Sequence, residues 1–347
     1  MNSSLSFHSN VLIFFKKSGT SRGVLTEKET FILKHHFPGD QQTEYLGEAG
    51  LFRGLSADDL PEYEKKLEEV CLTHSFDNKN WWEELRNFPS IQFGLEQIEQ
   101  TISLHKGKKL EDRFNPILFP SDFTNGETGI PINGLIWMGG KQEMLAQIQD
   151  KLDKGFKCLK LKIGVDWTME HEILKSLRSN FPKDLLEIRV DANGGFSFEE
   201  AKVVLDELYK LSIHSIEQPI KAKNWDNMAK LCAFTPTPIA LDEELIGVFE
   251  KDQKREVLQS IKPQYIILKP SLVGGWKGSQ EWIDFSNEMN IGWWITSALE
   301  SNIGLNAIAQ WTYTLNSPMP QGLGTGALFQ NNFPSRLKVQ GDQLFFM

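Results

Sequence analysis

Cys158-Leu159-Lys160-Leu161-Lys162-Ile163 is the stretch whose reading decides the fold. Its lysines alternate with apolar residues, so in a strand both amines project to one side and the leucines to the other. On an antiparallel surface sheet that pattern is an ordinary solvated face. Strands of a parallel barrel have no solvated face, and there the charged side must line the interior.

The surrounding chain selects the second reading. Short apolar runs recur at 130–137, 158–163, 186–190, 213–216, 238–241, 265–268 and 291–295, with a weak one at 319–323. Amphipathic stretches separate them. The clearest, 197–211, carries Ala201, Val204, Leu205 and Leu208 at helical spacing and opens on Ser197 with Glu200 three residues later, a capping-box pattern. Such alternation is the signature of successive β/α units. Eight units in about 200 residues predict a (β/α)8-type barrel, with a doubly wound open sheet as the alternative. Upstream the chain reads as α+β, with strands at 10–15 and 29–34 and helices near 60–74 and 90–105. The segment 119–131, with two prolines, two glycines and Asn125, marks the boundary between the two parts.

At 347 residues, two domains sharing an interface are expected. Hydrophobic residues at 40% and charged residues at 24% are ordinary for a soluble globular protein, and no stretch approaches the roughly 18 apolar residues of a membrane span. The early apolar run 11–15 precedes Lys16 and Lys17, whereas a secretory signal puts basic residues first. Cys71, Cys158 and Cys232 have no paired spacing, which argues against a disulfide framework or a thiolate zinc site and points to the reducing cytoplasm. The net charge of −9, without a basic run or stripe, argues against binding nucleic acid phosphates. A small-molecule partner is expected, with no membrane insertion.

Ionisable residues stand where the apolar runs end: Lys162, Asp191, Glu217, Asp242 and Lys269, spaced 25 to 29 residues apart. In a parallel barrel all strands open at their carboxyl ends on one face, so these five converge. Taken singly, Asp191 could be a turn residue, Glu217 a salt-bridge partner and Asp242 a helix cap. Taken together, three carboxylates at a barrel mouth would repel one another unless a positive charge sat among them. Oxygen ligands with no Cys or His nearby suit a hard cation, Mg²⁺ or Mn²⁺. Lys160 and Lys162 on one side and Lys269 on the other would flank a ligand on that metal. Burial and neighbouring positive charge, from the metal and a second lysine, are expected to lower a lysine pKa toward the working pH, as a general base requires. Arg189 and Asn193, two residues either side of Asp191, fall on its face and are candidates for substrate contact or support. Glu243, next to Asp242, is expected to point the other way.

In this order, Lys160, Lys162, Asp191, Glu217, Asp242 and Lys269 resemble the site of the enolase superfamily, in its muconate-cycloisomerase-like branch. The resemblance implies an α/β fold: a (β/α)7β TIM-like barrel at 123–325 under an α+β capping domain at 1–122, to which a tail at 326–347 returns. Gly19-Thr20-Ser21-Arg22-Gly23-Val24-Leu25, Pro89-Ser90-Ile91-Gln92-Phe93-Gly94-Leu95-Glu96 and Pro131-Ile132-Asn133-Gly134-Leu135-Ile136-Trp137-Met138-Gly139 are similar, more closely, to the o-succinylbenzoate synthase family. The first would be a cap loop over the site. Ser297-Ala298-Leu299-Glu300-Ser301-Asn302 resembles that family's seventh strand end, where serine and main-chain groups meet a succinyl carboxylate, making Ser297 and Glu300 substrate-side candidates. No Asp-x-Asp stands at the eighth strand end, as a dipeptide epimerase would have it.

This resemblance implies dehydration of 2-succinyl-6-hydroxy-2,4-cyclohexadiene-1-carboxylate to o-succinylbenzoate, a step of menaquinone biosynthesis. Lys162 would remove the α-proton and return one to the departing hydroxyl. Lys269 would stabilise the anion from the opposite face, and Lys160 would keep Lys162 in its amine form. N-succinylamino acid racemisation, or a related epimerisation, is the rival chemistry, with the two lysines as opposed bases. A barrel that only binds would be expected to have lost a ligand or a lysine, and none is missing.

Overall fold

The computed structural model describes residues 4–20, 23–105 and 110–347. Its amino-terminal part is a three-stranded antiparallel sheet of β1 (Ser4–Thr20), β2 (Gly23–Phe37) and β3 (Asp40–Ala49), with β2 central. The strands expected at 10–15 and 29–34 lie inside β1 and β2. Two helices anticipated from periodicity form at Tyr63–Thr73 and Pro89–His105. Proline suits the first position of the second, where the N–H has no helical partner. That helix presses onto β3 so closely that a Cβ on Gly47 would stand 2.0 Å from the Gly94 carbonyl oxygen. Glycine at both positions is what allows backbone to meet backbone.

Beyond residue 133 seven parallel strands follow in strict chain order: β5 (Gly134–Ile136), β6 (Cys158–Lys162), β7 (Glu187–Asp191), β8 (Ser215–Glu217), β9 (Ile239–Leu241), β10 (Tyr265–Leu268) and β11 (Gly292–Ile295). Before them, β4 (Ile130–Pro131) belongs to another sheet. A helix follows each of β5 to β11, and the one after β7 opens as expected, with Ser197 Oγ accepting from the Glu200 amide at 3.3 Å. A doubly wound sheet would reverse strand order at a switch point; here the order never reverses. The weak run at 319–323 closes the ring with two parallel bridges, Gln321 to Ile132 and Gly322 to Thr296. The architecture is the (β/α)7β barrel.

Leu159, Leu161, Ile188 and Val190 are buried in the main core, whereas Ala240, Ile267 and Trp294 form a separate cluster. The period-2 alternation of each strand explains this division into an outer and an inner side. The tail divides. Residues 328–330 meet the cap, with the Phe15 amide donating to Leu328 O at 2.9 Å and the Gln330 amide to Ile13 O at 2.8 Å. The hairpin β12 (Leu337–Gln340) and β13 (Gln343–Phe346) pairs instead with β4, ahead of the first barrel strand.

Candidate active site

Parallel register aligns three of the ionisable residues. Lys162 pairs with Asp191, and Asp191 with Glu217, across β6, β7 and β8; Asp242 and Lys269 follow the last residues of β9 and β10. Their side chains interlock. Lys160 Nζ lies 2.7 Å from Glu217 Oε2 and 3.5 Å from Asp191 Oδ2. Lys162 Nζ donates to Asp191 Oδ2 and to Asn193 Oδ1, each at 2.8 Å. Lys269 Nζ donates to Asp242 and stands 4.0 Å from Glu217 Oε1.

Burial raises the cost of every charge here, and the neighbours decide the outcome. For Lys160 burial alone would lower the pKa, but the Glu217 and Asp191 carboxylates outweigh it and raise it. Lys269 is raised in the same way, against burial, by Asp242 and Glu217. Carboxylates surround both lysines and favour their ammonium forms. Asp191 is held below its usual range, the attraction of Lys162 and Lys160 exceeding its burial. Glu217 goes the other way, to about 8, pushed first by burial and then by Asp191.

Glu217 also answers whether these residues suit a metal. Its Oε1 is buried without a hydrogen-bond partner, and burial first, then repulsion by Asp191 and Asp242, makes its charge costly. As the side chains stand, no three acidic, His or Cys side chains among the described residues are grouped closely enough to hold an ion. Lysine amines bridge the carboxylates instead. The donors are hard oxygens throughout and one is unsatisfied, so the residue set fits a divalent cation.

Lys160, Lys162, Asp191 and Lys269 line a cavity of about 700 Å³, its open mouth included. Asn133, Leu135 and Trp137 of the first barrel segment line it, as do Ser297, Ala298 and Leu299 after β11. The cap contributes Leu25, Phe52 and Leu55. Lys162 Nζ lies 5.8 Å from the Trp137 ring centroid, a cation–π contact. Of the expected cap loop, Gly19 bridges to Met138 and Leu25 reaches the cavity, while Ser21 and Arg22 lie outside the described residues.

The other expected residues divide between the cavity and its surroundings. Asn193 and Ser297 line the cavity, and Ser297 Oγ is 2.7 Å from Thr325 Oγ1. Arg189 lies outside the cavity lining, 1% exposed, donating to Glu187 and to Pro320 O and lying over the Trp294 ring. It shares the strand face of Asp191 but sits two residues nearer the closed end of the barrel. Glu300 lies behind the cavity wall, accepting from Ser271 Oγ and from the Ala298 amide at 2.7 Å. That amide is therefore already engaged. The motif at 89–96 is a joint between cap and barrel: buried Glu96 accepts the Trp276 and Lys277 amides at the start of helix Gly275–Glu288. Sequence reasoning did not single out Trp137 or Phe52. The alternation Asn133, Leu135, Trp137 along one strand was the available signal for the first.

Residues 143–341, more than half of the chain, match the family model described as enolase C-terminal domain-like. An o-succinylbenzoate synthase of Desulfotalea psychrophila is 44% identical across 98% of this chain and 98% of that protein. The chain belongs to the o-succinylbenzoate synthase family. Members of this enolase-superfamily group are metal-dependent dehydratases, and this chain is an enzyme of that kind. A MenC crystal structure from D. psychrophila superimposes with a TM-score of 0.84 at 40% identity, covering 99% of this chain and 100% of that one. Rival chemistry is present among more distant relatives. An N-succinylamino acid racemase of Thermus thermophilus is 29% identical over 47% of this chain and 42% of its own. Among the described residues no helix is long and apolar enough to cross a membrane.

Proposed function

We infer that this o-succinylbenzoate synthase family member dehydrates 2-succinyl-6-hydroxy-2,4-cyclohexadiene-1-carboxylate to o-succinylbenzoate in menaquinone biosynthesis. The observation that carries the reading is near-full-length likeness to a synthase, joined to a cavity lined by Lys162, Lys269 and Asp191, with Glu217 and Asp242 paired to Lys160 and Lys269 beside it. Asp191, Glu217 and Asp242 hold a divalent cation, Mg²⁺ or Mn²⁺ by the hardness of their oxygens. When bound, that cation supplies positive charge against the charge developing on the substrate carboxylate.

The chain's own groups do the rest. Lys162 takes the α-proton and, being the nearest acid on the same face, returns a proton to the departing hydroxyl. Asn193 Oδ1, 2.8 Å away, receives the ammonium so formed. Lys269 stabilises the anion from the opposite face. Lys160, held as an ammonium between Glu217 and Asp191, adds positive charge beside the substrate carboxylate. Ser297 meets the succinyl end, and Leu25, Phe52, Leu55 and Trp137 exclude water. In this reading residues 1–122 act as the cap, 123–325 as the catalytic barrel, and the 326–347 tail ties the two together. Three free cysteines support a cytoplasmic setting.

Purified protein assayed with the cyclohexadiene substrate, alongside N-succinyl amino acids, tests the reading. Dehydration is expected to be the faster reaction. Racemisation without dehydration would overturn it.

A further inference from the structure

We propose that Glu243 is a positioning residue for Lys162, acting through the side-chain amide of Asn193. Strand alternation would aim Glu243 away from Asp242. The strand, however, ends at Leu241, and Asp242 (φ −126°, ψ −81°) turns the chain into the 3-10 turn Glu243–Leu245. Gln218 Oε1 pins that turn by accepting the amides of Asp242 at 3.1 Å and Glu244 at 3.3 Å. Alternation no longer governs, and the Glu243 carboxylate faces the loop after β7.

There Asn193 Nδ2 donates to Glu243 Oε1 at 3.1 Å, while Asn193 Oδ1 accepts from Lys162 Nζ at 2.8 Å. The Asn193 backbone is fixed as well, with φ at 44° and its amide donating to Asp191 Oδ1 at 3.1 Å. What remains variable is which end of the side-chain amide faces the lysine. A carboxylate only accepts, so Glu243 draws the NH₂ group toward itself and leaves the oxygen for Lys162. Turned over, the amide would set donors against an ammonium and its oxygen against a carboxylate.

The consequence concerns the base itself. A lysine side chain has many rotamers open to it, and a general base must lie within hydrogen-bond reach of its proton. Two acceptors, Asp191 Oδ2 and Asn193 Oδ1, fix Lys162 Nζ, and one of them is correctly oriented because of Glu243. Glu243 does not line the cavity, so its loss acts on the chemical step rather than on substrate binding.

The inference rests on the dehydration reading, and a double-mutant cycle in the metal-loaded enzyme separates the two. Glu243→Ala is expected to lower kcat about 10-fold to 10²-fold, the scale of a misplaced catalytic group, with KM changed less than about twofold. Glu243→Gln keeps an acceptor for Asn193 Nδ2 and is expected to retain more kcat than Glu243→Ala. The double variant Glu243→Ala/Asn193→Ala is expected to be no slower than Asn193→Ala alone. Thermal unfolding of each variant identifies any that fails to fold, in which case Glu243→Gln/Asn193→Ala against Asn193→Ala supplies the same comparison. Multiplicative losses in folded variants, or a rise in KM at constant kcat, overturn the Glu243 assignment. Wild-type protein that does not dehydrate the substrate overturns the underlying reading instead.

Discussion

Glu48, on the last strand of the cap sheet, accepts both the amide of Ser301 at 2.8 Å and its hydroxyl at 2.5 Å, across 253 residues of chain. It also accepts the Gly304 amide at 2.9 Å and Thr30 Oγ1 at 2.7 Å. Lys28, buried with no hydrogen-bond partner, has its pKa lowered by burial against the opposing pull of Glu48 and Glu300. Cap and barrel are thus locked directly behind the cavity wall at Ser297, Ala298 and Leu299. Removing this carboxylate strands several buried donors and one buried cation.

Glu48→Ala should therefore destabilise the protein by about 3 kcal/mol or more, given typical losses for a broken buried charge network. Urea unfolding measures this directly. A rise in KM should accompany it, because the wall loses its support. Wild-type stability in the variant would show that the network is passive.

Chelation of divalent cations should abolish turnover, and Mg²⁺ or Mn²⁺ should restore it. Asp191→Asn, Glu217→Gln and Asp242→Asn should each weaken cation binding by about 10-fold or more, since a neutral amide offers a hard cation less charge. Calorimetric titration of the metal-free variants is the measurement. Full activity in metal-free protein would contradict the carboxylate assignment.

Lys162→Ala should cost at least about 10²-fold to 10⁴-fold in kcat, the range for general acid–base catalysis. Lys269 acts by its charge, so Lys269→Arg should retain more dehydration than Lys162→Arg, in which no neutral base remains at working pH. Equal losses from the two arginine variants, with racemisation faster than dehydration in wild type, would favour opposed bases.

The cap should weaken in mild acid. His35 is packed against Phe37, Tyr45 and Phe76 with neither ring nitrogen hydrogen-bonded, and burial lowers its pKa from 6.5 to about 4. The unfolded chain therefore binds a proton at higher pH than the folded one. The stabilisation is full above pH 6.5 and is lost as the pH falls toward 4. His35→Phe, which cannot charge, should show a shallower loss of unfolding midpoint between pH 7 and 4.5. Parallel slopes would shift the effect to other groups.

The barrel was legible in the sequence because short, mostly apolar runs recur between amphipathic stretches, and because the lysines alternating in β6 suit a strand whose charged side lines a barrel interior. The closing run at 319–323 was weak because only Gln321 and Gly322 pair there. In the cap, β3 was missed: it begins Asp40-Gln41-Gln42-Thr43-Glu44 and carries Glu48 in a fully buried position, which reads as polar loop. Around the site, strand periodicity could place Arg189 on the face of Asp191 but could not supply depth along the barrel axis. Periodicity also failed at Glu243, since a strand that has ended no longer alternates. The surroundings of Glu300 were out of reach for a related reason: Ser271, Lys28 and Glu48 are distant from it in the chain.

The ring closed at Gln321 and Gly322 has a bearing on how the chain reaches its folded state. Gln321 grips both neighbours, its amide donating to Pro131 O at 2.8 Å and its side-chain oxygen accepting the Ile295 amide at 2.7 Å. Gly322 fits so tightly that a Cβ would stand 2.0 Å from Thr296 Oγ1. Until the ribosome delivers these two residues, β5 and β11 are bare sheet edges, each able to recruit a strand from another nascent chain. The clasp that completes the barrel is also its protection against aggregation, and synthesis supplies it late.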